Sequence, residues 1–219
     1  REVSECTSNS MSLLCSAFSK GALKGARGNS GVITSQIIKG LTDVLSSKEE
    51  FAAKDFANAL SKGTEVAYKA VTKPKEGTIL SVVRAMSEAA TSMNKRNIDF
   101  QSFLLKVIDA GEEMLKKTPD MLPVLKKAGV VDAGGRGLLI LMQGFAAVLS
   151  DNEDIVLSFD DAANVKAEDA KYSEEAHFDY NDLAEIQYAY CTEFFIINLY
   201  KKTTDADIDR FGETLMQIG

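Results

Sequence analysis

Histidine and cysteine are scarce in this chain of 219 residues, and their scarcity excludes several classes of site. The one histidine, His177, lies in an acidic stretch. A single histidine cannot build a multi-histidine metal site or a histidine-based catalytic triad within the chain. Three scattered cysteines, Cys6, Cys15 and Cys191, are too few for a disulfide framework. They indicate a reducing compartment, so the sequence predicts a cytoplasmic protein.

Long apolar runs are also missing from the sequence. No run approaches the roughly 18 residues that a membrane span needs, so no span is expected. The polar start from Arg1 to Glu5 has no signal-peptide pattern and no initiator methionine, and we interpret it as a cut end. Hydrophobic residues make up 45% of the chain, which is enough for a packed core.

Positive charge is scarce in the last third of the chain. Residues 1–150 carry 20 Lys and Arg against 15 Asp and Glu, whereas residues 151–219 carry 5 against 17. A mildly basic first part suits an anionic small ligand such as a nucleotide. The excess is too diffuse for a nucleic-acid surface, so no nucleic-acid partner is expected.

Hydrophobic periodicity predicts that the first domain, residues 1–150, is entirely helical. Pro74 and the Thr118-Pro119 pair are expected to end helices. The last segment is almost wholly apolar and is expected to be buried on most of its faces. The predicted helices cover residues 11–20, 30–46, 55–72, 78–93, 99–117, 121–127 and 134–149.

The rest of the chain has a different composition. Residues 151–185 hold 12 acidic residues against two lysines, and we interpret them as an acidic linker. Residues 186–200 are rich in β-branched and aromatic side chains, which predicts a strand, and residues 205–219 follow a helical pattern. One strand and one helix do not form a stable sheet alone. Residues 186–219 are therefore interpreted as the start of a truncated α/β domain.

A glycine-rich turn precedes the helix that begins near residue 30. Gly25, Gly28 and Gly31 let the backbone adopt a positive φ, and Asn29 or Ser30 is expected to cap the helix. Such a turn presents amides and the positive end of the helix dipole to phosphate. The alternative interpretation is a tight connection between helices with an ordinary N-cap.

Two further glycine-containing turns precede strong helices in the same domain. One contains Gly77 and Thr78, and the other contains Asp132, Ala133 and Gly134. One such turn is explained by packing alone. Three in one helical domain suggest that several helix N-termini share an anionic ligand.

The three turns lie in strings that resemble the nucleotide-binding domain of bacterial fatty acid kinase, which is similar to the L subunit of dihydroxyacetone kinase. The strings are KGARGNSGVI at 24–33, KPKEGTIL at 73–80 and VVDAGGRGL at 130–138. They occur in order, and the likeness covers about residues 1–150. YCTEF at 190–194 resembles the opening of that kinase's middle domain. The resemblance implies an antiparallel α-helical barrel or bundle, followed by the beginning of an α/β domain.

The cofactor implied by this resemblance is ATP or ADP with Mg²⁺. The implied reaction phosphorylates a fatty acid carboxylate, held by a fatty-acid-binding carrier protein, to an acyl phosphate. The first turn would bind the phosphates through its amides, the second would lie against the nucleotide, and the third would close the pocket. The implied binding residues are Gly28, Asn29, Ser30, Gly31, Gly77, Thr78, Asp132, Ala133 and Gly134. A homodimer is left open.

One motif of that family has no match in residues 1–219. Its Asp-Gly-Asp-Thr-Gly-Thr-Asn string, whose aspartates hold magnesium, would precede Arg1, and no Asp-x-Asp cluster in residues 1–150 replaces it. We therefore expect the isolated chain to be catalytically inactive and to bind nucleotide weakly, with one side of the barrel open.

Four other residues keep two interpretations each. By the resemblance Cys191 is a zinc ligand of the middle domain, whereas a lone cysteine is more often a small buried hydrophobe. Arg27 and Arg136 either neutralise phosphate or are simply solvated. Glu76 either pairs with a lysine or takes part in proton transfer, or it only interacts favourably with the dipole of the helix that follows it.

Two other functions stay open at this stage. One is a subunit of the dihydroxyacetone kinase type, and the other is a non-enzymatic helical interaction module. The acidic linker and the strand after it favour the acyl kinase, because a stand-alone kinase subunit would end near residue 149.

Overall fold

The computed structural model describes residues 2–8, 10–93, 98–149, 200 and 202–218. Every regular element in these ranges is a helix, which confirms the mainly α fold class. The described residues belong to two units, one up to residue 149 and one with Tyr200 and residues 202–218. The helices are α1 (Met11–Gly25), α2 (Gly28–Leu45), α3 (Ala53–Lys69), α4 (Ile79–Ser92), α5 (Phe100–Met121), α6 (Pro123–Ala128) and α7 (Ala133–Leu149), with α8 (Asp205–Ile218) in the second unit.

Consecutive helices of the first unit pack side by side. α1 packs on α2, α2 on α3, α3 on α4 and α4 on α5, while α7 packs on both α4 and α5 and the short α6 packs on α5. Because the connections are short, neighbouring helices run in opposite directions. α2, α4 and α7 therefore begin at one end of the bundle, and α3 and α5 begin at the other.

The core lies between α2, α3, α4, α5 and α7, and four phenylalanines pack at the end where α3 and α5 begin. Their neighbouring ring centroids are 5.6 to 6.4 Å apart, mostly with edge-to-face geometry, which suits the charge distribution of aromatic rings. The four rings are those of Phe51, Phe56, Phe100 and Phe103. The largest fully buried side chains are Phe103, Ile37, Leu60, Leu80, Met86, Leu104 and Met142.

A pair of glycines brings α2 and α3 into backbone contact. A Cβ on Gly40 would lie 2.5 Å from Gly63 Cα, and a Cβ on Gly63 would lie 2.8 Å from the carbonyl oxygen of Ile37. Real side chains do not approach backbone atoms so closely, so this crossing requires glycine on both helices.

The prediction that Thr118-Pro119 ends a helix is wrong. α5 continues through Pro119 to Met121. Proline removes the amide that would donate to the carbonyl of Leu115, and an unpaired carbonyl usually breaks a helix. Here the Thr118 hydroxyl donates to the Leu115 carbonyl oxygen over 2.7 Å, which satisfies that carbonyl and lets the helix continue.

The prediction that α7 is buried on most faces is also wrong. Leu138, Leu139 and Met142 are buried, but Ile140 is 47% exposed and Val148 is 86% exposed. Apolarity alone therefore did not identify the packed faces of this helix. Phe145 makes an edge-to-face contact with Phe18 of α1, with ring centroids 6.4 Å apart.

The second unit contains α8 where the sequence predicts a helix. The Asp207 carboxylate accepts hydrogen bonds from the amide and the hydroxyl of Thr204 just before the helix, over 3.0 and 2.7 Å. The predicted linker at 151–185 lies outside the described residues, and so does the predicted strand at 186–200 except for Tyr200.

Gly63→Ala is expected to destabilise the first unit by roughly 1–3 kcal/mol, because the new methyl group would overlap the α2 backbone. Gly144→Ala is the matched control, since a Cβ on Gly144 has nothing within 4 Å. Its helix-interior position predicts a gain of about 1 kcal/mol instead. Urea unfolding of both variants measures the two free energies. Equal effects would contradict the proposed close crossing.

Candidate functional site

The N-terminal turns of α2, α4 and α7 meet beside Gly134. A Cβ on Gly134 would lie 3.0 Å from Ser30 Oγ in α2, 3.4 Å from Ile79 Cβ in α4, and 3.3 Å from Asp132 Oδ2 before α7. A methyl group at this position would be tight against Ser30 Oγ and Asp132 Oδ2 and in ordinary contact with Ile79. Glycine at 134 therefore allows the three helix starts to share one small region.

The first turn exposes the start of α2 without a side-chain cap. α2 begins at Gly28, with φ +62°, and its N-cap residue is Arg27. Among the described residues no side chain caps this helix start, so the prediction that Asn29 or Ser30 is the cap is wrong. Both residues lie inside the first helical turn, where they are exposed.

Arg27 has partners in its own backbone neighbourhood. Its guanidinium donates to the carbonyl oxygens of Lys24 and Ala26, over 3.1 and 2.7 Å, at the end of α1. Gly31 packs against the same connection, since a Cβ on it would lie 3.3 Å from Ala26 Cα. These contacts fix the chain that leads into α2.

The second turn is held by buried contacts to α5. Gly77 has φ +83°, and a Cβ on it would lie 2.8 Å from Met121 Cβ and 3.2 Å from the Thr118 carbonyl oxygen. Thr78 is the N-cap of α4, and its hydroxyl oxygen accepts from the Leu80 amide over 3.3 Å while it donates to the Lys75 carbonyl over 2.8 Å. The start of α4 is therefore already capped from within the chain.

Glu76 joins this turn to α3 and α4 through four hydrogen bonds. Its carboxylate accepts two from the Arg84 guanidinium, over 2.7 and 3.0 Å, one from the Ser81 hydroxyl over 2.5 Å, and one from the Tyr68 hydroxyl over 3.1 Å. Ser81 Oγ in turn accepts from the Gly77 amide over 2.8 Å. The partner of Glu76 is Arg84, eight residues further on, and not the lysine or proton that one of its two interpretations assigned. No local pattern indicates this pairing.

The third turn is fixed by Asp132. Its Oδ2 accepts from the Gly135 amide over 2.7 Å, and its own amide donates to Thr118 Oγ1 over 3.1 Å. A carboxylate at this position also interacts favourably with the dipole of α7. The start of α7 therefore has an internal acidic cap.

Thr118 is the site residue that the sequence analysis missed. It is fully buried and contacts both the second and the third turn. A threonine directly before a proline predicts a helix end. A threonine hydroxyl directly before a proline can donate to the carbonyl that the proline leaves without a donor. This role can be recognised only once the helix is known to continue.

Other candidate features lie elsewhere or outside the described residues. Cys191 and His177 are outside them, and within the described ranges no three acidic, cysteine or histidine side chains stand close enough to hold a metal ion. In the same ranges, no helix combines the length and apolarity needed to cross a membrane. A shallow cavity of about 390 Å³, lined by Ser10, Met11, Ser12 and residues 46–49, lies at the opposite end of α2 from Ser30.

The family of this helical domain follows from its match to a protein-family model. Residues 1–147 match the family model described as the DAK2 domain. The chain belongs to the DAK2 domain family. This domain is of the dihydroxyacetone kinase L-subunit type, so the family is related to kinases.

Relatives of this DAK2 domain occur in several bacteria. Protein YloV of Bacillus subtilis (strain 168) is 37% identical over 228 residues, which cover 100% of this chain and 40% of YloV. An uncharacterized protein of Staphylococcus saprophyticus is 39% identical over 214 residues, which cover 92% of this chain and 37% of that protein. An uncharacterized protein of Staphylococcus aureus (strain USA300) is 36% identical over 223 residues, covering 99% and 40%. The chain thus spans about two fifths of these relatives.

Tyr68→Phe is expected to make the loss of stability at alkaline pH less steep. Burial first, and the charge of Glu76 second, raise the pKa of the Tyr68 hydroxyl from 10.0 to about 12. The folded chain therefore keeps this proton to a higher pH than the unfolded chain. The stabilisation it gives is complete below pH 10 and is lost as the pH rises through about 12. Urea unfolding across this pH range measures the difference in slope.

Glu76→Gln provides the control for this titration. It removes the negative charge that raises the pKa of Tyr68 and leaves the positive charge of Arg84, which lowers it. The difference in slope that Tyr68→Phe causes should therefore shrink when Glu76 is replaced as well. Identical pH slopes in wild type and Tyr68→Phe would contradict the assignment.

Proposed function

We propose that this DAK2 domain binds the phosphates of ATP or ADP where α2, α4 and α7 begin, and that it serves a kinase. The observation that carries the proposal is the contact of Ser30, Ile79 and Asp132 around Gly134. Membership of a kinase-related family supports the same ligand. The proposed nucleotide contacts are Gly28, Asn29, Ser30, Gly31, Gly77, Thr78, Asp132, Ala133 and Gly134.

The three helix starts differ in what they offer an anion. Thr78 caps α4 and Asp132 caps α7, so each of these helices has satisfied one terminal amide internally. α2 has no side-chain cap among the described residues, and its first residues are exposed. Its amides and the Ser30 hydroxyl are therefore the donors best placed for phosphate oxygens. The phosphates would lie on Gly28–Gly31, with Thr78 and Gly134 beside them.

The described residues fit the phosphates but do not fit the Mg²⁺ that accompanies them. Magnesium needs an octahedral set of oxygen ligands that usually includes carboxylates. Asp132 lies at the meeting point around Gly134, but its Oδ2 is engaged by the Gly135 amide. In the part of the chain that the structure describes, no three acidic, cysteine or histidine side chains stand close enough to hold a metal ion. The described residues at this meeting point therefore do not make up a magnesium site. Their contribution is to orient the phosphates and to offset negative charge during phosphoryl transfer.

For the acceptor, we propose a fatty acid carboxylate that a fatty-acid-binding carrier protein presents. A carboxylate oxygen would attack the γ-phosphorus, the bond to the β-phosphate oxygen would break, and the products would be an acyl phosphate and ADP. The motif strings around the three turns support this acceptor by their likeness to fatty acid kinase. The alternative acceptor is the hydroxyl of dihydroxyacetone, which the L-subunit type of the domain favours. A cytoplasmic location accords with both.

Gly134→Ala is expected to weaken nucleotide binding by about tenfold, which equals the loss of one well-formed hydrogen bond of roughly 1.4 kcal/mol. The added methyl group would push Ser30 and Asp132 away from the shared region. Gly137→Ala lies one turn further along α7, where a Cβ has nothing within 4 Å, and should leave affinity unchanged. Calorimetry with Mg-ADP on the full-length gene product measures both.

Two outcomes of this calorimetry would count against the nucleotide proposal. Equal affinities for wild type and Gly134→Ala would mean that the meeting point is not the site. An absence of heat with wild type at high Mg-ADP concentration would favour the non-enzymatic interaction module.

The acceptor is identified by transfer of label from γ-labelled ATP. We expect the full-length gene product to label a fatty acid only when the acid is bound to a carrier protein, because the acyl chain must be held out of water. Dihydroxyacetone offered in parallel should stay unlabelled. Labelling of dihydroxyacetone alone would replace the proposed acceptor with the alternative one and would leave the nucleotide site standing.

A further inference from the structure

Thr118 contacts two of the three turns from a fully buried position in the last turns of α5. Its Oγ1 accepts from the Asp132 amide over 3.1 Å, which ties it to the third turn. Its carbonyl oxygen lies 3.2 Å from the Cβ position of Gly77, which places it against the second turn. Its side chain has no exposure to solvent. Thr118 therefore lies behind the meeting point, in contact with the second and the third turn.

The chemistry of the Thr118-Pro119 pair gives the hydroxyl a fixed direction. Pro119 has no amide hydrogen, so the Leu115 carbonyl lacks its usual donor four residues further on. The Thr118 hydroxyl has a single proton, and it donates that proton to Leu115 over 2.7 Å. Only the lone pairs of Oγ1 remain, and one of them receives the Asp132 amide. With its proton given to the Leu115 carbonyl, the hydroxyl faces the third turn as an acceptor.

The position of Asp132 in turn determines where the first turn of α7 lies. Asp132 Oδ2 holds the Gly135 amide over 2.7 Å and lies 3.3 Å from the Cβ position of Gly134. Ser30 reaches the same position from α2. A displacement of Asp132 would therefore move the start of α7 relative to the exposed amides of α2.

We propose that Thr118 is a positioning residue for the nucleotide. Its hydroxyl holds the third turn at the distance from α2 and α4 that the phosphates require, without touching the nucleotide itself. This inference rests on the proposed nucleotide site, and its test includes a measurement that needs no nucleotide.

A double variant distinguishes the effect of losing the hydrogen bond to Leu115 from the effect of losing the one to Asp132. Thr118→Val removes both of them. In the double variant Thr118→Val with Pro119→Ala, the alanine amide introduced at position 119 can donate to the Leu115 carbonyl, so the helix is satisfied while the Asp132 amide still lacks its acceptor. Pro119→Ala alone keeps the threonine and is the matched control. Thr118→Ser keeps the hydroxyl and tests for rescue.

Three measurements are made on the full-length gene product of each variant. The dissociation constant for Mg-ADP should rise about tenfold in Thr118→Val and in the double variant, and should stay within about twofold of wild type in Pro119→Ala and Thr118→Ser. Amide hydrogen exchange without nucleotide should show about tenfold less protection at Asp132 and Gly135 in the double variant than in Pro119→Ala. Thermal unfolding confirms that each variant is folded.

These measurements distinguish a role of Thr118 in positioning the third turn from a role in the α5 helix alone. If the double variant binds Mg-ADP as tightly as Pro119→Ala, the hydroxyl serves only the helix and the positioning role is overturned. If wild type binds no Mg-ADP, the proposed nucleotide site fails, and the exchange measurement still tests whether Thr118 holds the third turn. Unchanged protection at Asp132 and Gly135 would refute that hold.

Discussion

Three helix dipoles point their positive ends at one small region, and this arrangement is the constraint on which the rest of the site depends. Each helix start carries the equivalent of roughly half a positive charge. Bringing three of them together is unfavourable unless negative charge lies nearby. Asp132 supplies part of that charge at α7, and Glu76 lies just before α4. The first turn of α2 itself contains no carboxylate, and no side chain among the described residues caps it, so an anion there would relieve the remaining repulsion.

The alternation of helix direction produces this convergence, and buried polar contacts make it precise. Because α2, α4 and α7 run the same way, their first turns arrive at the end of the bundle opposite the phenylalanine cluster. Hydrogen bonds and backbone contacts then fix the turns, through Ser81 for the second and Thr118 for the second and third. Hydrogen bonds are directional, whereas apolar packing is not. The proposed ligand site, supported in this way, would keep its geometry before the ligand arrives.

The helices and the three turns could be predicted from the sequence, because both depend on local signals. Helical periodicity predicts where α3 to α5 lie, and glycine marks the turns at Gly77 and Gly134. Partners that are distant in sequence could not be predicted in this way. The pairing of Glu76 with Arg84 needs the fold, as does the bond between Asp132 and Thr118. The exposed face of α7 could not be predicted either, since its sequence is almost wholly apolar.

The start of α2 offers an argument for the proposed binding site over a purely structural turn. The φ of +62° at Gly28 is a conformation that L side chains rarely adopt, yet a Cβ on this glycine would meet nothing within 4 Å. The backbone conformation alone therefore favours glycine at position 28, whereas at Gly77 a side chain would also overlap Met121. A structural turn at this place would gain stability from a serine, threonine or aspartate as the N-cap of α2. The chain instead has an uncapped helix start, which leaves the amides of α2 available to an anion from solvent.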